Sequence, residues 1–126
     1  MSRYLLDSHA VLWSVMESPR LSERARDIIA SAETDVFVSA ANYYELMFKA
    51  RRGRLPQSVL RLPAAVGRGN YRALPVSDAH LQAAALLDWG HGDPWDRILI
   101  AQANFEDLAL ISIDDVFDAI SERRVW

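Results

Sequence analysis

The chain has 126 residues, no cysteine and a formal net charge of −3 at neutral pH. This length fits one folded domain, so we expect residues 1–126 to form a single domain. The lack of cysteine excludes disulfides and thiolate metal sites, which leaves oxygen and histidine nitrogen as possible metal ligands. No apolar run reaches the roughly 18 residues of a membrane span, and the first residues do not read as a signal peptide. We therefore expect a cytoplasmic protein with no membrane contact.

Apolar runs and amphipathic stretches alternate along the chain. An apolar run too short for a helix predicts a buried strand, whereas apolar residues spaced three and four apart predict a helix. Ser22 and Ser39 stand where they can cap two helices, and Gly53 stands where one can end. The predicted elements, in chain order, are a strand at 4–6, a helix at 21–32, a strand at 36–38, a helix at about 40–52, a looser helical region at 56–70, a strand at 71–76, helices at 78–89 and 93–105, and a strand at 108–113.

This alternation of strands and helices is typical of the α/β class. We therefore predict an α/β sandwich with a mainly parallel central sheet. Ligands of such sheets bind beyond the carboxyl ends of the strands. Residues that directly follow a predicted strand are consequently the first candidates for function.

Two carboxylates directly follow predicted strands. Asp7 ends the first apolar run and Asp114 ends the last one. A charged side chain is costly to bury there unless it reaches solvent or a cation, so both are candidate metal ligands. Each could instead cap a helix, one from about His9 onward and the other from Asp115 onward. From these positions alone, both interpretations stay open.

Three further acids lie on predicted helices. Asp93 can cap the helix that follows it, and Asp96 can either complete a capping box or serve as a ligand where a buried helix begins. We consider Asp96 the better ligand candidate of the two. Glu45 lies away from the core stripe of its helix, which favours exposure to solvent. The aromatic residues Tyr44 and Phe48 on the same side suggest instead that this side is covered.

Several acids in one crevice would repel one another unless cations neutralise them. Ligation by oxygen alone suits Mg²⁺ or Mn²⁺ rather than zinc. Such a site can activate water and offset the charge that develops on a phosphodiester. The residues therefore favour metal-dependent phosphodiester hydrolysis.

The order and spacing of these residues also resemble a known family. The segments that carry the resemblance are YLLDSHA at 4–10, SPRLS at 18–22, VSAA at 38–41 followed by Glu45, GRL at 53–55, LPV at 74–76, DPWDR at 93–97 and LISID at 110–114. The series is similar to the PIN-domain ribonucleases, and specifically to the VapC-like toxins of prokaryotic toxin–antitoxin pairs. The chain departs from the family pattern at Ser8 and Ser112, where threonine is common, and at Tyr43 and Tyr44, where tryptophan is frequent.

The resemblance implies a PIN-like α/β/α sandwich and endonucleolytic cleavage of RNA. It implies that Asp7, Glu45, Asp96 and Asp114 are the acidic catalytic positions, that Asp7, Asp96 and Asp114 bind the metal, and that Asp93 is a further candidate ligand. It also implies Mg²⁺ or Mn²⁺ as the cofactor, a homodimer, and a small VapB-like antitoxin that lies over the active-site groove.

Four residues are candidate substrate contacts. Ser8 and Ser112 keep a hydroxyl near the implied metal. Arg54 belongs to a basic run at the end of the Glu45 helix, where cations stabilise the helix terminus but can also bind phosphate or an acidic antitoxin segment. Arg97 could contact a phosphate or pair with a nearby acid.

We expect structural rather than catalytic roles for two histidines and three tryptophans. His9 and His91 have no His-x-x-His spacing, so we predict loop or capping roles for them. Trp13, Trp89 and Trp95 are expected in the core or in an interface rather than as stacking platforms for bases.

Two other functions compete with a ribonuclease. A phosphatase or phosphoacceptor domain could use Asp7 as a nucleophile, although the chain has no second acid two residues later. A binding module for RNA or a protein partner could keep the PIN-like fold without catalysis. Intact acids at all four matched positions argue against this second alternative.

Overall fold

In residues 2–126, which the computed structural model describes, five strands form one sheet and six helices flank it. Two short 3-10 turns, Gln57–Arg61 and Asp115–Ala119, complete the secondary structure. The strands are β1 (Ser2–Leu6), β2 (Thr34–Ser39), β3 (Arg72–Leu74), β4 (Ala109–Ile111) and β5 (Arg124–Val125). The helices are α1 (Ser8–Val15), α2 (Glu23–Ala30), α3 (Ala40–Arg51), α4 (Leu62–Gly67), α5 (Asp78–Leu86) and α6 (Pro94–Phe105).

The sheet has the strand order β3-β2-β1-β4-β5, and every neighbouring pair is parallel. The chain therefore builds outward from β1 to β3, then returns and builds outward on the other side with β4 and β5. The order reverses between β1 and β4, and the crevice beyond the carboxyl ends of strands at such a reversal is where open α/β sheets bind ligands. Asp7 follows β1 at this point, and Ser112 follows β4.

Two separate hydrophobic cores cover the two faces of the sheet. Successive residues of a strand point to opposite faces, and accordingly Leu5 and Leu6 belong to different cores, as do Leu110 and Ile111. One core packs α1 to α4 on the sheet, and the other packs α6 with Phe117. The architecture is thus the α/β/α sandwich with a parallel sheet that the sequence predicts.

The caps predicted from sequence form as expected. Ser22 accepts from the backbone N–H of Ala25 at 3.0 Å, and Ser39 accepts from that of Ala41 at 3.0 Å. Gly53 ends α3 with a φ of +80°, a left-handed backbone conformation that glycine adopts without strain. Among the described residues, no helix combines the length and the apolar character needed to cross a membrane.

Candidate active site

Asp7 is the most buried acid at the reversal of strand order. It is only 5% exposed, and it caps α1 by accepting a hydrogen bond from the backbone N–H of Ala10 at 2.8 Å. Its second oxygen accepts a short hydrogen bond from the hydroxyl of Ser112. Burial nevertheless raises the pKa of Asp7 to about 6, because removing a carboxylate from water penalises its charged form more than these hydrogen bonds favour it. The repulsion of Asp96 adds to this rise.

Asp96 lies in the first turn of α6, and Asp93 caps that helix. The Oδ1 atom of Asp93 accepts from the backbone N–H groups of Trp95 and Asp96, at 2.8 and 3.1 Å. The carboxylate of Asp96 does not reach back to complete a capping box, since its Oδ2 lies 2.7 Å from Nε2 of His91. Partial burial raises the pKa of Asp96, and repulsion from Asp93 and Glu45 raises it further, while the contact with His91 opposes the rise.

Glu45 is held between a buried hydroxyl and a lysine. Ser8 donates to its Oε1 at 2.5 Å, and Lys49, one turn later on α3, donates to its Oε2 at 2.8 Å. The side chain of Glu45 is only 11% exposed. Of the two interpretations that the sequence leaves open, solvated or covered, the structure supports the covered one, because Ser8 of the neighbouring helix α1 contacts this side chain.

Asp114 is exposed and lies after the carboxyl end of β4. Its backbone N–H donates to Oγ of Ser112 at 3.0 Å, and its own Oδ1 caps the Asp115–Ala119 turn through the N–H of Val116. Ser112 thus connects Asp114 to Asp7, since its hydroxyl donates to the Asp7 carboxylate. Both roles considered for Asp114 from sequence, a cap and a site residue, are compatible with this position.

Asp96 lies near enough to Asp7 and to Glu45 for their charges to interact. Asp7 and Asp96 repel each other, as do Asp96 and Glu45. In residues 2–126, however, no three Asp, Glu or His side chains stand in an arrangement that could hold a metal ion. In the conformation described, each carboxylate instead binds a partner from the chain: Ser112 for Asp7, His91 for Asp96, and Ser8 and Lys49 for Glu45.

A comparison with family models assigns the chain. The model described as "PIN domain" matches residues 4–123, nearly the whole length. The chain belongs to the PIN domain family. A search of curated proteins returned no significant match.

Solved structures share the fold of this PIN domain at low sequence identity. The DNA-bound VapBC of Salmonella typhimurium is 14% identical with a TM-score of 0.73, and the alignment covers 100% of this chain and 98% of that one. VapBC2 of Rickettsia felis, bound to a DNA fragment from its promoter, is 13% identical with a TM-score of 0.71, covering 94% and 92%. Mycobacterium tuberculosis VapC20, a sarcin-ricin loop cleaving toxin, is 16% identical with a TM-score of 0.66, covering 92% and 93%.

The structure gives three of the four predicted substrate contacts other partners. Ser8 and Ser112 are buried, and their hydroxyls donate to Glu45 and Asp7 rather than facing solvent. The guanidinium of Arg97 donates to four backbone carbonyls, those of Ala84, Leu87, Trp89 and His91, at 2.6 to 3.2 Å. Arginine presents its N–H groups in a fixed fork, so these four bonds hold it to the end of α5, through Ala84, and to the loop between α5 and α6.

Arg54 and its neighbours lie in a different setting. Arg54 is exposed just after Gly53 at the end of α3, and its backbone N–H donates to the carbonyl of Lys49 at 2.9 Å. Its side chain is accessible to a phosphate or an acidic segment, so the structure leaves the predicted contact open. Arg52 lies over the ring of Phe48, 5.6 Å from its centroid.

Sequence reasoning missed the role of His91. The sequence predicts a loop or capping role, and His91 does lie in a loop, but Arg97 anchors that loop and the ring contacts both Asp96 and Trp89. The available signal was the spacing of His91 and Asp96, five residues apart around the helix start at Pro94. The spacing of two histidines that bind one metal does not indicate a histidine that contacts a carboxylate.

The aromatic neighbours of Glu45 on α3 are exposed, although the sequence suggested that this side of the helix is covered. Tyr44 and Phe48 are 58% and 44% exposed, and their rings stack with centroids 5.8 Å apart. The ring of Trp95, at the start of α6, lies 5.5 Å from that of Tyr44. We call Tyr44, Phe48 and Trp95 the aromatic surface; it borders the acids, because Glu45 and Asp96 are the chain neighbours of two of its members.

Proposed function

We propose that this PIN domain is a metal-dependent endoribonuclease and the toxin of a toxin–antitoxin pair. The observation that carries the proposal is the pair Asp7 and Asp96, two carboxylates with raised pKa that repel each other at the reversal of strand order. Bringing like charges together in a partly buried place is unfavourable unless a cation binds them. A fold maintained only for stability would gain by replacing one of the two.

The donor chemistry of the site fits a hard divalent cation. Its candidate ligands are carboxylates, which suit Mg²⁺ or Mn²⁺. Asp7, Asp96 and Asp114 would hold the ion once their side chains turn toward one another from the arrangement described above, and Asp93 is a further candidate. A bound ion of this kind lowers the pKa of water and offsets charge on a phosphodiester.

The remaining side chains of the site would act through orientation. The Ser112 hydroxyl donates to the Asp7 carboxylate, and its Oγ also accepts from the backbone N–H of Asp114. Ser112 therefore fixes these two acids relative to each other. Glu45 has both carboxylate oxygens bound by Ser8 and Lys49. We propose that Glu45, fixed in this way, orients the attacking water and accepts its proton.

We propose a VapB-like antitoxin as the protein partner and RNA as the substrate. The proposal draws on the fold shared with VapBC complexes and on the basic residues at the end of α3, which include Arg52 and the exposed Arg54. Arginine forks bind carboxylates and phosphates alike, so the same residues suit an acidic antitoxin segment and an RNA backbone. A toxin that cleaves cellular RNA would act in the cytoplasm.

The aromatic surface supports the proposal of a homodimer. Its exposed rings lie one turn apart on α3 and extend to α6, and exposed aromatic groups of this kind are typical of the centre of protein interfaces. We expect Phe48→Ser to weaken self-association. Leu86→Ser is the matched control, because Leu86 is 75% exposed on α5 and lies outside this surface.

Cleavage of structured RNA by the purified protein tests the proposal. We expect cleavage with Mg²⁺ or Mn²⁺, no cleavage with EDTA, and a loss of roughly a hundredfold or more in kcat for Asp7→Asn and Asp96→Asn. Asp27→Asn, an exposed position on α2, should keep the activity. Cleavage that persists in EDTA would refute the metal mechanism. Binding of RNA or antitoxin without any cleavage would favour the non-catalytic binding module instead.

A further inference from the structure

Asn42 is fully buried in the first turn of α3 and has no role in the site as described so far. Its Oδ1 accepts a hydrogen bond from the backbone N–H of Ser39 at 2.8 Å, which completes the capping box of α3. Its Nδ2 donates to Oγ of Ser8 at 3.1 Å. The same Ser8 oxygen donates to Oε1 of Glu45 at 2.5 Å. Three side chains therefore form one continuous line of hydrogen bonds that ends on Glu45.

The direction of this line is fixed by the backbone. A backbone N–H can only donate, so the Asn42 atom facing Ser39 must be the oxygen, and its nitrogen must face Ser8. An amide nitrogen can only donate as well, so Ser8 accepts there. A serine hydroxyl has a single hydrogen, and with Asn42 donating to its oxygen, that hydrogen is left to point at Glu45.

The second partner of Glu45 cannot supply the same restraint. Lys49 is 38% exposed and pairs with Glu45 across one turn of a helix, an arrangement that stabilises weakly and leaves the long side chain mobile. Ser8 is buried and short, and its position is set by the start of α1 directly after Asp7. The buried hydroxyl therefore defines where Oε1 lies, and Asn42 defines where the hydroxyl points.

We propose that Asn42 is a positioning residue for the reaction, acting through Ser8 to fix the Glu45 carboxylate in the site. This inference rests on the proposed nuclease function. Asn42 links three parts of the site: the end of β2 through Ser39, the start of α1 through Ser8, and the acid on α3. Helix capping alone would require only the oxygen of its amide, whereas positioning requires the nitrogen.

The substitution Asn42→Asp separates the two roles. The introduced carboxylate still accepts from the Ser39 N–H, and an acid in the first turn of a helix is favourable, so the cap is kept. In its ionised form it cannot donate to Ser8, and as a strong acceptor it draws the Ser8 hydrogen away from Glu45; because burial favours the protonated form, kcat is compared at about pH 8. We expect kcat for RNA cleavage to fall roughly tenfold to a hundredfold, as it does in metal sites when a hydrogen-bond partner that orients a side chain of the site is changed. KM should change by less than about twofold.

The matched control is Asn104→Asp, which adds the same charge at an exposed position of α6. It should keep kcat within about twofold, since exposed substitutions away from a site have small effects. Ser8→Ala should lower kcat as Asn42→Asp does. The kcat of the double variant, Asn42→Asp with Ser8→Ala, should lie within about twofold of that of Ser8→Ala alone, because both changes break the same series of hydrogen bonds. Independent losses that multiply, or wild-type kcat in Asn42→Asp, would overturn the inference.

A structural readout separates this inference from the proposed function. In wild-type protein, NMR should detect a slowly exchanging Ser8 hydroxyl proton with a nuclear Overhauser effect to the side chain of Glu45. That signal should be lost in Asn42→Asp and kept in Asn104→Asp. A wild-type protein that shows the signal but cleaves no RNA refutes the proposed function, whereas one that cleaves RNA without the signal refutes the role of Asn42. If Asn42→Asp fails to fold, Ser8→Ala tests the same link, and unchanged kcat in that variant overturns the inference.

Discussion

The raised pKa of Asp7 predicts that an inactive variant is more stable than the wild type. We consider Asp7→Asn in the absence of divalent metal. Asparagine is a good helix cap, so it can keep the hydrogen bond from the N–H of Ala10 while it removes the buried charge. The cost of ionising Asp7 in the fold should then disappear from the free energy of unfolding.

The size of the effect follows from the two pKa values of Asp7. A value of about 6 in the fold, against the ordinary value of 3.8, corresponds to about 3 kcal/mol at 1.36 kcal/mol per pKa unit. This pKa already includes the hydrogen bond from Ser112, whereas the asparagine amide brings a second N–H that costs about 1–2 kcal/mol if it stays unpaired. Asp7→Asn should therefore raise the stability at pH 7 by about 1–3 kcal/mol, which corresponds to a Tm several degrees higher.

The pH dependence has a definite sign. Between pH 3.8 and 6 the folded wild type binds the Asp7 proton more tightly than the unfolded chain does, so its stability falls as pH rises through this window. The asparagine variant lacks this loss. The stability difference between the two proteins should therefore be small near pH 3.5, grow between pH 4 and 6, and level off above pH 7.

Urea unfolding followed by tryptophan fluorescence measures this difference across the pH range, with EDTA present. Adding Mg²⁺ or Mn²⁺ at about a hundred times its dissociation constant should then stabilise the wild type by about 2.7 kcal/mol and the variant by much less. A variant that is less stable than wild type at pH 7 in EDTA, or a difference that does not change with pH, would refute the assignment of a buried, destabilised carboxylate to Asp7.

Three further predictions concern other parts of the molecule. Arg97→Lys should lower the free energy of unfolding by about 2–3 kcal/mol, because a lysine cannot donate to four carbonyls at once. Arg24→Lys, on the exposed side of α2, should change it by less than about 0.5 kcal/mol, and chemical denaturation measures both variants. Gly53→Ala should destabilise by about 1 kcal/mol because φ is +80° there, whereas Gly67→Ala, in a helix with open space around it, should be neutral or stabilising in the same assay. Phe48→Ser should shift a dimer toward monomer in analytical ultracentrifugation, and an unchanged sedimentation profile with weaker RNA binding would assign the aromatic surface to substrate instead.

The fold could be predicted because local patterns and topology agree. The apolar run at 4–6 lies within β1, and the run at 108–113 contains β4. Ser22, Ser39 and Asp93 cap α2, α3 and α6. Element bounds were less accurate where tertiary contacts decide them. The region 56–70 divides into a 3-10 turn and a short helix, and Pro63 lies near the start of that helix rather than interrupting it.

The site could be predicted only in part. Which acids follow strands is visible in the sequence, and from that their place at one edge of the sheet can be deduced. The contacts that fix them depend on residues far apart in the chain, such as Ser112 with Asp7 or Asn42 with Ser8, and no local periodicity records them. Arg97 illustrates the same limit, since the sequence predicts a phosphate contact or a pair with a nearby acid, whereas its guanidinium donates to four carbonyls of α5 and the loop after it.

The sequence left open whether the acids cap helices or bind a ligand, but one acid can do both. Asp7, Asp93 and Asp114 are all helix or 3-10 caps, and all three use Oδ1 for the backbone N–H groups. A parallel sheet places helix starts at the carboxyl ends of its strands, so a cap there is also at the site, and the positive end of a helix favours the charged form that a cation needs. Substitution of these acids by alanine would therefore remove cap and charge together. Asparagine keeps the cap, so only the Asn variants can show whether lost activity comes from lost charge. If Asp114→Asn retained full activity while Asp114→Ala lost both activity and stability, Asp114 would be a cap alone.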